Sequence, residues 1–177
     1  MLGFPGERLN LDLADLDTRF FALSKKFHPD RFASKSPREV QISHDWSSEI
    51  NNAYRTLKDP ISRARYVVER ELGSLEEKSS KVPIEMAELF FELHDVLDTI
   101  RDSDGHPPAD ALKQAEQARV ELRAKVRDLE SALQAKFVEY DRTADKAMLA
   151  QMKEILAERS YIKSFLRQMD STLGGKN

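Results

Sequence analysis

Apolar residues in this chain recur at intervals of three and four, segment after segment, and prolines, glycines and capping residues stand between the segments. That period puts them on one face of a helix and leaves almost no room for strands. From Asp12 to Phe27 the stripe is Leu13, Leu16, Phe20, Leu23 and Phe27. Pro29 stops it, because the residue before a proline is pushed out of the α region, and a short exposed loop reading HPDRFASKS follows. Ser36, Pro37 and Glu39 then announce a second helix with a capping box, and Trp46, Ile50, Ala53, Tyr54 and Leu57 supply its apolar face. Asp59 and Pro60 repeat the signal for a shorter helix through Ala64, Val67, Val68 and Leu72, which Gly73 closes.

Residues 73–83, GSLEEKSSKVP, are polar and hold both breakers, so they read as a linker between a domain at 1–72 and a second at 84–177. Three helical patterns fill the second domain, at 84–101, 108–140 and 144–173, parted by DSDGHPP and by a break near Arg142. Such lengths suit an antiparallel three-helix bundle. Its middle helix carries Leu112, Ala115, Leu122, Val126, Leu129, Leu133 and Phe137 at coiled-coil-like spacing. In the first, Leu89, Leu93, Val96, Leu97 and Ile100 gather on one side while Phe91 points nearly opposite. In the last, Met148, Met152, Ile155, Ile162, Leu166 and Leu173 form the core face; Tyr161 lies about 120° from its centre and Phe165 near its edge. Apolar side chains turned away from a core on neighbouring helices would form a protein-binding patch.

Composition agrees with solvated helices: 33% of residues are charged, against six glycines and seven prolines. We therefore expect an all-α protein. With no cysteine there is no disulfide, no thiolate nucleophile and no Cys-ligated zinc or cluster. The four histidines, His28, His44, His94 and His106, show no metal-binding spacing, and no glycine-rich phosphate loop is present, so neither catalysis nor a cofactor is expected. A net charge of -3 argues against a phosphate-neutralising surface over the whole protein and leaves a local basic patch open; Arg119, Arg123 and Arg127 are interleaved with glutamates like a solvated helix face, so nucleic acid is not expected as a partner. No stretch approaches the roughly 20 apolar residues of a membrane span, and the chain does not open like a signal peptide, so a cytoplasmic setting is the default expectation.

The loop after the first helix begins His28-Pro29-Asp30, between two amphipathic helices, and in this it resembles the J-domain, whose hallmark is that tripeptide. The resemblance implies that the loop docks on a DnaK-type ATPase chaperone and biases it toward hydrolysis, an effect of contacts that differ between the partner's states. His28 and Asp30 would make those contacts, and Arg19, Lys25, Lys26, Arg31 and Arg38 would present a positive face to an acidic partner surface.

HPDRFAS, then INNAYRTL from Ile50 to Leu57, then KDPISRARY narrow the likeness to the HscB co-chaperones of iron–sulfur cluster assembly, over most of residues 7–72. That family implies a J-domain helical hairpin followed directly by a three-helix bundle, L-shaped as a pair. It also implies that the bundle binds the IscU-type scaffold and presents it to an HscA-like chaperone. Phe91 and Tyr161 align with scaffold-contacting positions, with Phe165 beside them. Ala87 and Glu88 fall at client-contacting positions too, where family members carry a longer apolar run. The start, Met1-Leu2-Gly3-Phe4-Pro5, matches only the end of the short first J-domain helix. A J-domain with a different protein client is the alternative reading.

Overall fold

The local stop and start signals act as they read. In a computed structural model describing residues 2–3, 8–74 and 84–174, the elements are α1 (Leu13–Phe27), a 3-10 turn (Pro29–Phe32), α2 (Pro37–Lys58), α3 (Pro60–Leu72), α4 (Ile84–Arg101), α5 (Ala109–Thr143) and α6 (Lys146–Gly174). The fold is all-α, and no strand occurs among the described residues. Asp12 caps α1 by accepting from the Ala14 amide at 2.9 Å, and Asp59 caps α3 by accepting from that of Ser62 at 2.7 Å. At α2 the capping box is reciprocal: Glu39 accepts from the Ser36 amide at 3.0 Å, while its own amide reaches the Ser36 hydroxyl at 3.4 Å. Gly73 ends α3 at φ 83, which favours glycine. The break between α5 and α6 falls at Ala144, φ 52, rather than at Arg142, which remains helical. The start at residues 4–7 and residues 75–83 of the expected linker lie outside the described residues.

The chain separates into two compact units, Met1–Ser74 with Gln134–Ala150, and Leu75–Leu133 with Gln151–Asn177. The division thus falls inside α5 and α6. In the first unit, α1 packs against α2 and α2 against α3, burying Leu16, Ile50, Ala64, Val67 and Val68. Phe20 stacks on Tyr54 with ring centroids 3.9 Å apart. The tip of the α5–α6 hairpin joins this unit through polar as well as apolar contacts. Asp141 accepts from the Leu9 and Asn10 amides at 2.7 and 2.8 Å, and the buried Arg63 guanidinium lies over the Phe137 ring. Burial disfavours the charge of Arg63, and Asp59 and Asp141 offset that.

Asp17 ties α1 to the end of α2: it accepts from the Tyr54 hydroxyl at 2.7 Å, with the Lys58 ammonium 3.4 Å away. The Tyr54 hydrogen bond, and secondarily Lys58, hold its carboxyl below the ordinary carboxylate value. A carboxyl depressed in the folded state stabilises above its unfolded pKa and loses that contribution as pH falls through the folded one. Tyr54→Phe is therefore expected to destabilise at neutral pH, with the gap to wild type shrinking as pH is lowered to about 3. Urea melts at the two pH values check this, and an equal gap at both would overturn it.

In the second unit Phe90, Leu93, Leu97 and Ile100 of α4 meet Ala115, Leu122, Val126 and Leu129 of α5 and Ile162, Phe165, Leu166 and Met169 of α6 in one core. Contacts of Phe90 with Tyr161 and of His94 with Gln168 run in the same direction, so α4 and α6 are parallel with α5 antiparallel between them. In α4 one expected core position is corrected, as is Leu13 of the α1 stripe, which is 45% exposed. Leu89 is 42% exposed, and Phe90 takes its place at 2%. Stripes 89–93–96–100 and 90–93–97–100 both satisfy the helical period, and the one that buries the larger aromatic surface prevails.

Candidate functional site

Two surfaces carry the residues singled out in the sequence, one in each unit. In the first, Pro29 ends α1 and leaves His28 in extended backbone at φ -62, ψ 129. Its Nδ1 accepts from the Asp30 amide at 3.3 Å and stands 3.5 Å from the Asp30 carboxylate, so the imidazole caps the turn that follows. The Arg31 amide donates to the His28 carbonyl at 3.0 Å, and that of Lys35 to the Phe32 carbonyl at 2.9 Å. What reads as a loop is thus a 3-10 turn, tightened by proline at its first position. The side chains of His28 and Asp30 are nevertheless 56% and 89% exposed. A held backbone showing an imidazole and a carboxylate to solvent has the form of a contact surface.

Lys25 and Lys26 lie in the last turn of α1, exposed, where cations also complement the helix C-terminus. The Arg31 guanidinium returns to the Lys25 carbonyl at 3.2 Å, tying the turn to the helix end. Arg38 is exposed in the first turn of α2. Arg19 departs from expectation. It binds Asp15 at 2.9 Å and the Gly3 carbonyl at 2.7 Å, so its charge is directed to the N-terminal segment instead of to the turn. No local pattern could have revealed that contact, whose partner lies 16 residues away. Phe27 stacks on Trp46 at 5.3 Å, and Trp46, expected on the core face, is 42% exposed.

In the second unit Phe91 is 70% exposed, with Ala87 and Glu88 exposed one turn earlier on the same side of α4. Tyr161 is 42% exposed and its ring lies 4.9 Å from that of Phe90. Phe165, expected beside them at the surface, is 6% exposed and packs on Phe90 at 4.4 Å and against the edge of His94 at 5.1 Å. It supports the face from beneath and is not presented on it, because Phe90 draws a second aromatic into the core. Leu89 is exposed on the opposite flank of the Phe90 stripe, a residue the helical wheel had assigned to the interior. Among the described residues no group of three or more His, Asp or Glu is placed to hold a metal ion, and no helix is long and apolar enough to cross a membrane.

No family model matches the sequence. Individual proteins do. The chain is 38% identical over 80 residues to a co-chaperone protein HscB homolog of Bordetella petrii, spanning 46% of that relative, about half its length. It is 29% identical over 166 residues to one of Aliivibrio fischeri, covering 93% of this chain and 82% of the relative. Among solved structures the fold resembles chaperone HscB from Vibrio cholerae, with a TM-score of 0.71 at 23% identity over 98% of this chain and 96% of that one. Human co-chaperone protein HscB gives 0.62 at 20% identity, over 93% and 76% of the two chains. A third relative, from Chromobacterium violaceum, is 30% identical over 136 residues, 76% of this chain and 73% of its own length; with the tripeptide turn and the helical order, this shows that the chain belongs to the HscB co-chaperone family.

Proposed function

We propose that this protein stimulates the ATPase of a DnaK-type, HscA-like chaperone through His28, Pro29 and Asp30, and delivers to it an IscU-type iron–sulfur scaffold held at Phe91, Ala87, Glu88 and Tyr161. Residues 1–72 recruit the ATPase and residues 84–177 hold the client, in the cytoplasm, without a catalytic site or cofactor of their own. The observation that carries the reading is the turn itself: His28 and Asp30 are 56% and 89% exposed although the backbone beneath them is fixed by hydrogen bonds. Preorganised and solvent-facing groups lose little freedom on binding, so their contacts are available for the partner's conformational change. Lys25, Lys26 and Arg31 surround them with positive charge that would speed encounter with an acidic surface.

Steady-state ATP hydrolysis by the chaperone tests both halves at once. Protein and scaffold together are expected to stimulate by more than the product of their separate effects, with a coupling of about 5-fold or more. A different client is favoured by one feature, the acidic Glu88 and small Ala87 in the turn before Phe91, which leave a narrower apolar face. Stimulation indifferent to the scaffold would select that client reading, and no stimulation would overturn both.

A further inference from the structure

Between α5 and α6 of the second unit runs a groove of about 310 Å³ with two basic walls. Arg123 and Arg127 stand one turn apart on α5, Lys163 and Arg167 one turn apart on α6, and Val126 and Leu166 form an apolar floor. Along α5 alone the arginines alternate with glutamates and read as a solvated face. Pairing with α6 is what brings the second row of cations alongside the first.

The two carboxylates of the groove are already engaged. Asp170 accepts from Arg123 at 2.9 Å and from Arg119 at 3.4 Å, and Glu130 lies 2.7 Å from Arg159. Arg127, Lys163 and Arg167 are exposed and have no ion-pair partner among the described residues. Such a local surplus, in a chain whose net charge is -3, leaves like charges side by side in the free protein that a complementary ligand would relieve.

We propose that this groove docks an acidic amphipathic helix of a partner protein. Cations one turn apart on both walls match carboxylates one turn apart on a helix, at about 6 Å. Between them, an apolar side chain of the same helix would rest on the small part of Val126 and Leu166, 7% and 5%, that the core leaves uncovered. A nucleic-acid backbone fits less well: in a chain of net charge -3 the four cations of the groove are too few to hold a polyanion that extends beyond it. The site is independent of the proposed scaffold face, since neither Phe91 nor Tyr161 lines it, and Tyr161 and Lys163 are about 200° apart around α6.

The probe is a fluorescein-labelled helical peptide of about 15 residues with glutamates at i and i+4 and leucines on the adjoining stripe, titrated with the full chain by fluorescence anisotropy. It is compared with a peptide of permuted sequence and with a single-stranded RNA of equal charge. The patterned peptide is expected to bind saturably, about tenfold more tightly than either control, and to lose about tenfold in Arg127→Gln/Arg167→Gln. Circular dichroism verifies the fold of that variant; should it lose helicity, the exposed single change Lys163→Gln is titrated instead and is expected to weaken binding severalfold. Equal binding of the permuted peptide, tighter binding of the RNA, no saturable binding, or indifference to the substitutions would each overturn the proposal.

Discussion

Replacing His28 with alanine is expected to remove most of the ATPase stimulation, a loss of about 10- to 100-fold, while the protein stays folded. Both halves of that expectation follow from the turn. The imidazole is 56% exposed and lies outside the buried core of α1, α2 and α3, so its removal leaves that core intact. Its one structural duty is to accept the Asp30 amide at 3.3 Å, a cap whose deletion costs on the order of 1 kcal/mol at a helix end. Loss of function could then come from a missing contact or from a loosened turn, and His28→Asn separates them. Asparagine offers a side-chain oxygen that can cap the Asp30 amide but no ring. If it remains as inactive as alanine, the imidazole itself touches the partner; recovery of stimulation would mean that the turn's shape is what matters. Asp30→Ala makes the complementary test, because a carboxylate 89% exposed has little to do for the fold. Full stimulation by both His28→Ala and Asp30→Ala would sink the assignment of this turn as the chaperone contact.

How much of this was legible beforehand depended on the range of the interaction that decides each feature. Caps at Asp12, Ser36 and Asp59 and the stop at Pro29 are set within four residues, and the sequence shows them plainly. The His28-Pro29-Asp30 turn is equally local, although its 3-10 hydrogen bonds were not foreseen. Helical periodicity went further, leaving Phe91 and Tyr161 on exposed faces. It failed where two stripes fit equally well, exchanging Leu89 for Phe90, and where an aromatic near the stripe's edge, Phe165, was drawn inward by its neighbour. Longer-range features were invisible. Asp141 binds the Leu9 amide across 132 residues, Arg19 is claimed by the Gly3 carbonyl, and the basic groove exists only once α5 and α6 are in register.

Adjacent phenylalanines on α4 give the sharpest test of the second surface. Phe90 is 2% exposed and touches Tyr161 and Phe165, so Phe90→Ala should leave a cavity and cost about 3–5 kcal/mol of stability. Phe91, at 70% exposed, should cost less than about 0.5 kcal/mol when truncated. Titration calorimetry with the IscU-type scaffold should rank them the other way. An exposed aromatic at the centre of an interface is worth about 2 kcal/mol, so Phe91→Ala is expected to weaken binding about 30-fold with the melting temperature nearly unchanged. Tyr161→Ala should act in the same direction, though with some loss of stability, because its ring also covers Phe90. Wild-type affinity in Phe91→Ala would place the scaffold elsewhere, and a parallel fall of affinity and stability across all three variants would mean that these aromatics hold the bundle together and do not meet the client. Only affinity lost at Phe91 without stability assigns this face to binding, because a ring that is 70% exposed adds little to the core whose loosening could otherwise weaken the scaffold's hold.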